Sequence, residues 1–203
     1  MSGKGITGVV LTGGRATRWD GRDKGLIHVS GRPMIEHVLD ALAPQVEHVI
    51  ISANRNLDAY RAFGLPVVTD ASRDFRGPLA GIASGLAAAR TEWVAIAPCD
   101  SPLVTTDFVD RLASACRDGA HTDIAAAHDG ERIQPLFALL HRRVLEPLDA
   151  FLESGGRGVE RWYGQQRMQL VDFSDSPDSF LNINQPEDRD LLEAHMKQRK
   201  SRE

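Results

Sequence analysis

Apolar residues fall along this chain in short, β-branched runs separated by longer stretches in which they recur every three or four positions. Residues 6–11 (Ile-Thr-Gly-Val-Val-Leu) form a strand-length run that stops at the glycine pair Gly13-Gly14. Pro33 stands where a first-turn proline belongs, and Ile35, Val38, Leu39 and Leu42 then follow at helical spacing. The pattern predicts further strands over 46–51, 66–69 and 93–97, a short helix over 57–63 and an alanine-rich helix over 79–89. Another helix is predicted over 105–116, with Thr105 or Thr106 as its N-cap ahead of Asp107. Beyond it the pattern is less regular. It reads as strands over 124–127 and 135–140 around the polar turn His128-Asp129-Gly130-Glu131, then a helix over 139–152, a strand over 169–173 and a closing helix over 185–197.

Repeated strand–helix alternation in the first half implies an α/β fold, a mostly parallel central sheet with helices on both faces. No linker, internal repeat or low-complexity tract breaks the chain, so residues 1–203 read as a single domain with a frayed tail over 197–203.

Composition narrows the function classes. With 42% hydrophobic and 26% charged residues, 203 residues suit an ordinary globule and exclude a fibre or a disordered tail. A net charge of −4, spread without blocks, argues against bulk nucleic acid or anionic membrane as a partner. No apolar run is long enough to span a membrane, and the first residues lack the apolar stretch of a secretory signal. Two cysteines make no disulfide framework and fit a reducing compartment, so the cytoplasm is the expected location. The seven histidines show no ligand spacing, which disfavours zinc.

Ligands of open parallel sheets bind beyond the carboxyl ends of the strands. Four predicted strand ends deliver Leu11-Thr12-Gly13-Gly14, Ser52-Ala53-Asn54, Asp70, and Cys99-Asp100-Ser101-Pro102. After the glycine pair, Arg15, Arg18, Arg22 and Lys24 supply cations close to backbone N–H groups that can approach a polyanion. Asp100, held between two prolines, suits Mg²⁺ carrying phosphate oxygens, although an aspartate there could equally cap the following turn. Asp70 carries the same alternative. Cys99 has no histidine nearby in sequence and reads as an inert, buried thiol. Gly77, Gly81 and Gly85 line one helix face. Close packing explains Gly85, while the helix start at Gly77 could face a ligand. Residues 3–8 match G-x-G-x-x-G only formally, since they precede the strand, and no P-loop occurs.

The segments Leu-Thr-Gly-Gly-x-x-x-Arg, Asp23-Lys24-Gly25-Leu26, Ser-Ala-Asn-Arg, Gly-Pro-Leu-Ala-Gly and Pro-Cys-Asp-Ser-Pro together resemble the molybdenum cofactor guanylyltransferase family. The likeness continues through Gln134-Pro135, Asp172-Phe173-Ser174-Asp175 and Phe180-Leu181-Asn182-Ile183-Asn184-Gln185-Pro186-Glu187. It implies a Rossmann-like, GT-A-type nucleotidyltransferase that moves GMP from GTP to the terminal phosphate of Mo-molybdopterin and releases pyrophosphate. Its nucleotide half would cover about 6–116 and its molybdopterin side about 117–196. Carried onto this sequence, Leu11, Thr12, Gly13, Ser52 and Asp70 would bind the nucleotide. Lys24 and Arg18 would act on the phosphates, Asp100 would hold Mg²⁺, and Asn182 and Asn184 would face molybdopterin. Molybdenum-insertion and molybdoenzyme delivery proteins are the implied partners.

This chain departs from the family pattern at Thr12 for Ala, Ser52 for Asn, Ser101 for Thr, and Trp19-Asp20-Gly21 for Met-Gly-Gly. The competing readings are a molybdopterin cytidylyltransferase, a sugar-phosphate nucleotidyltransferase, and a non-catalytic nucleotide-binding adapter. Gly13 favours guanine, because similar cytidylyl enzymes read Leu-Ala-Ala-Gly in this loop.

Overall fold

A computed structural model describes residues 5–12, 23–71, 77–118, 121–182 and, near the end of the chain, 188, 192 and 193. In chain order the first half runs β1 (Ile6–Leu11), β2 (His28–Val29), β3 (Arg32–Pro33), α1 (Met34–Leu42), β4 (His48–Ser52), α2 (Leu57–Arg61), β5 (Val67–Val68), α3 (Pro78–Ala88) and β6 (Trp93–Pro98). The second half adds α4 (Phe108–Asp118), β7 (Ile124–His128), β8 (Ile133–His141), α5 (Leu145–Glu153), α6 (Val159–Tyr163) and β9 (Met168–Asp172).

Seven strands form one sheet in the order β5-β4-β1-β6-β8-β7-β9, while β2 and β3 make a separate antiparallel ribbon. The pairs β5–β4, β4–β1, β1–β6 and β7–β9 are parallel. β8 runs against both its neighbours, so the sheet is mixed rather than uniformly parallel. The chain leaves β1 toward β4 on one side and returns with β6 on the other. That reversal opens a crevice at the carboxyl end of β1.

Alternating side chains of β1 supply both faces. Ile6 and Val10 join a core cluster with Ile35, Val38 and Leu42 of α1 and with Phe108 and Leu112 of α4. Val9 and Leu11 join Leu79, Ile82 and Leu86 of α3, with Leu148 of α5 and Trp162 of α6, on the opposite side. The close-packing reading of Gly85 holds: a Cβ there would lie 2.8 Å from Val9 Cγ1.

Two sequence expectations are corrected. The helix predicted over 139–152 begins only at Leu145, because Leu139, Leu140 and His141 remain in β8, paired with β6. The helix predicted from 105 begins at Phe108. Its Val109 N–H donates to Gln45 Oε1 at 2.8 Å, while the buried Thr105 hydroxyl has no hydrogen-bond partner among the described residues. Helix α6 and the β2–β3 ribbon, which turns through Ser30 (φ 50°) and Gly31 (φ 82°), were not predicted. Of the closing helix expected over 185–197, only 188, 192 and 193 are described, and they are helical.

The β7–β8 register jumps: Ala126 faces Ala138, but Ala127 faces Gln134. Pro135, Leu136 and Phe137 therefore stand out as a bulge. Among the described residues, no helix is long and apolar enough to cross a membrane.

Candidate active site

A cleft of about 300 Å³ lies across the carboxyl ends of β1, β4, β5 and β6. Leu11 and Thr12 line it from β1, Ser52 and Asn54 from β4, Asp70 from beyond β5, and Pro98, Cys99 and Asp100 from β6. Asp23 and Lys24 enter from the turn before β2, the first turn of α3 contributes Gly77, Pro78 and Gly81, and the bulge contributes Leu136.

Lys24 Nζ stands 3.2 Å from Asp100 Oδ2, with the two side chains 26% and 16% exposed. Residues 76 positions apart thus meet as an ion pair that a polyanion can still reach. Lys24 opens the 3₁₀ turn Lys24–Leu26, whose N-cap Asp23 accepts from the Gly25 N–H. Asp100 follows the last residue pair of β6, where Cys99 N donates to Leu11 O at 3.0 Å.

At the rim, Asp70 and Asn54 bond each other twice. Asn54 Nδ2 donates to Asp70 Oδ2 at 2.8 Å, and Asp70 N donates to Asn54 Oδ1 at 2.9 Å. Asp70 Oδ1 is buried with no hydrogen-bond partner among the described residues. Burial raises the Asp70 pKa above the usual carboxylate value, partly offset by the bond from Asn54. An acceptor left open in a cleft wall is poised for a ligand's N–H or O–H groups.

Thr12 spends its hydroxyl internally. Both Thr12 N and Thr12 Oγ1 donate to Ser52 O, at 2.9 and 2.8 Å, and tie the ends of β1 and β4 together. Ser52 Oγ would meet a Cβ on Gly81 at 2.9 Å, so the glycine lets α3 close onto the cleft floor. Gly77 caps α3 at φ 73°, a conformation suited to glycine. Cys99 is buried, and burial beside Asp100 and Asp23 pushes its thiol well above the ordinary value, which keeps it protonated and inert.

The structure thus brings Leu11, Thr12, Lys24, Ser52, Asp70 and Asp100 to one cleft. Gly13, Arg18 and Asn184 lie outside the described residues. Asn182 is exposed, two positions after buried Phe180, and does not line the cleft. Asp23, Asn54 and Leu136 line the site without having been singled out from sequence. Asn54 belongs to the strand end Ser52-Ala53-Asn54, whereas Leu136 reaches the cleft only through the bulge.

Among the described residues, no group of three acidic, histidine or cysteine side chains could cage a metal. The donor set nonetheless fits Mg²⁺, which needs only one or two carboxylates when phosphates and waters complete its shell. Asp100 supplies that carboxylate at the cleft.

The sequence profile of the MobA-like NTP transferase domain matches residues 8–170. A molybdenum cofactor guanylyltransferase of Vibrio campbellii is 51% identical over 180 residues, 89% of this chain and 91% of that protein. One from a Shewanella species is 40% identical over 193 residues, 95% of this chain and 98% of its own length. Among solved structures, molybdopterin-guanine dinucleotide biosynthesis protein A from Archaeoglobus fulgidus superposes with a TM-score of 0.78 at 21% identity, covering 95% of this chain and 99% of its own. This structural likeness speaks for the fold: an α/β nucleotidyltransferase with a mixed sheet and flanking helices. With a profile spanning most of the chain and a relative half-identical across it, the protein belongs to the MobA-like NTP transferase family, among the molybdenum cofactor guanylyltransferases, and is a nucleotidyltransferase.

Proposed function

We propose that this protein transfers GMP from GTP to the terminal phosphate of Mo-molybdopterin and releases pyrophosphate, in a Rossmann-like, GT-A-type frame. The Lys24–Asp100 pair at the cleft carries this reading. The acceptor phosphate is already anionic, so no protein nucleophile or strong base is needed, and the protein's task is positioning and charge neutralisation. The acceptor oxygen attacks the α-phosphorus as the bond to the departing pyrophosphate breaks. Lys24, helped by Arg18, neutralises charge building on the leaving oxygens. Asp100 would hold Mg²⁺, which when bound would supply further neutralisation of the phosphates.

Leu11, Thr12 and Ser52 form the nucleotide floor, Thr12 and Ser52 by fixing the backbone where β1 and β4 end, and Gly13 is a further nucleotide-binding residue. Guanine presents two adjacent donors, N1–H and the N2 amino group, and the open Asp70 oxygen beside its bonded partner is matched to them. Cytosine offers one donor beside an acceptor and fits less well. The half from about 117 to 196 receives the pterin, with Asn182 and Asn184 on that side. The enzyme works in the cytoplasm as one domain and hands its product to molybdoenzyme delivery proteins.

The decisive measurement is pyrophosphate release from GTP or CTP with Mo-molybdopterin supplied. GTP is expected to be preferred at least roughly tenfold. Lys24→Ala and Asp100→Ala should each lower kcat by roughly ten- to a hundredfold while the protein stays folded. Full turnover by a well-folded Asp100→Ala enzyme would overturn the reading.

A further inference from the structure

Lys24 sits on a three-residue 3₁₀ turn, too short to hold its own position. What holds it lies beneath. Asp23 is buried, 8% exposed, and both carboxylate oxygens are engaged. Its Oδ1 accepts from Tyr60 Oη at 2.6 Å and from the Gly25 N–H at 3.3 Å, while its Oδ2 accepts from Asn56 Nδ2 at 3.1 Å. Tyr60 belongs to α2 and is fully buried. Asn56 precedes that helix in the left-handed region, at φ 49°. Gly25 lies flush on this floor: a Cβ there would come within 2.7 Å of Tyr60 Oη and 3.0 Å of Cys99 Sγ. The turn therefore has no slack toward the core.

We propose that Asp23, Tyr60 and Asn56 form a positioning brace that fixes the backbone of Lys24 and so aims its ammonium at the reacting phosphates. Helix α2, which itself contributes no lining residue to the cleft, becomes the element that sets the cation's reach. The physics favours this division. Hydrogen bonds to a buried carboxylate are strong, because the oxygens have lost water and gain charge-assisted donors. Lysine, in contrast, carries its charge on a flexible four-carbon stem, so its placement depends on where the stem begins. The strain of a non-glycine residue at Asn56 is consistent with a residue held there for what its amide does.

The inference rests on the proposed role of Lys24, and the test separates the two. Tyr60→Phe keeps the ring packed and removes only the hydroxyl. Asn56→Gly suits the positive φ and removes the amide. Each would be made in the wild-type and Lys24→Ala backgrounds, and kcat, KM for GTP and the melting temperature would be measured. With Lys24 present, each substitution should lower kcat roughly tenfold and change KM for GTP by less than about threefold. In the Lys24→Ala background the same substitution should cost less than about twofold, since the group it positions is gone. Equal losses in both backgrounds, or no loss of kcat in either substitution, would overturn the brace and leave the role of Lys24 standing. A Lys24→Ala enzyme with full turnover would overturn the role of Lys24 and the brace with it.

Discussion

Asp70 is the residue whose surroundings say most about nucleotide choice. A half-buried carboxylate whose Oδ1 has no hydrogen-bond partner among the described residues carries a desolvation cost, which guanine donors would relieve. Asp70→Asn should therefore weaken GTP binding by roughly tenfold, as an amide hydrogen turns toward the base's own donors, while the melting temperature stays level or rises. Titration calorimetry and a thermal melt check both halves. Since burial raises the Asp70 pKa, GTP affinity should begin to fall, as pH drops, above the range where an ordinary carboxylate protonates. At this scale the sequence was readable where strand ends meet: Thr12, Ser52, Asp70 and Asp100 all line the one cleft, as a single topological rule implies. Asp23 was not, because its meaning comes from Tyr60, 37 positions away, and nothing in its immediate neighbours announces that contact.

Among the elements, the packing of α3 on β1 shows which of two opposing effects wins. Alanine at Gly85 would gain about 1 kcal/mol of helix propensity. It would also drive a methyl within 2.8–2.9 Å of both Val9 methyls, on a β-branched side chain that is fully buried. Overpacking of that kind costs about 1–3 kcal/mol, a net loss of up to about 2 kcal/mol, so Gly85→Ala should lower the melting temperature by up to several degrees. A calorimetric scan would detect it. The elements misread from sequence have equally local causes. Leu139, Leu140, Val144, Leu145, Leu148 and Leu152 keep a helical rhythm straight through the end of β8, yet ladders to β6 and β7 hold the first two in the sheet. The start of α4 was placed three residues early because its cap is the Gln45 side chain, 64 positions upstream, rather than a nearby threonine.

For the whole molecule, one ion cluster ties the second half together. Asp123, whose side chain is 9% exposed, accepts from Arg167 Nε at 2.7 Å and from Arg143 Nε, so it joins the segments flanking β7, β8 and β9. These bonds, Arg167 foremost, hold its pKa down at about 2 from an ordinary 3.8, against the opposing effect of burial. A lowered carboxylate pKa adds stability above the unfolded value near 4 and loses it as pH falls through about 2. The contribution is on the order of 1–2 kcal/mol after allowing for the exposed arginines. The gap in melting temperature between wild type and Asp123→Asn should therefore shrink as the buffer is taken from neutral to about pH 2.

The bulge in β8 has a consequence for what the cleft can become. Two of its three residues are anchored, the Pro135 carbonyl accepting from the Tyr163 hydroxyl at 2.8 Å and Phe137 stacking edge-on against Phe108 and Phe180, while Leu136 alone looks into the opening. A wall pinned to hydrophobic layers above and below the sheet has no room to give way. Widening the pocket at this wall would fall instead to Leu136 itself, since a shorter side chain there opens space without disturbing either anchor.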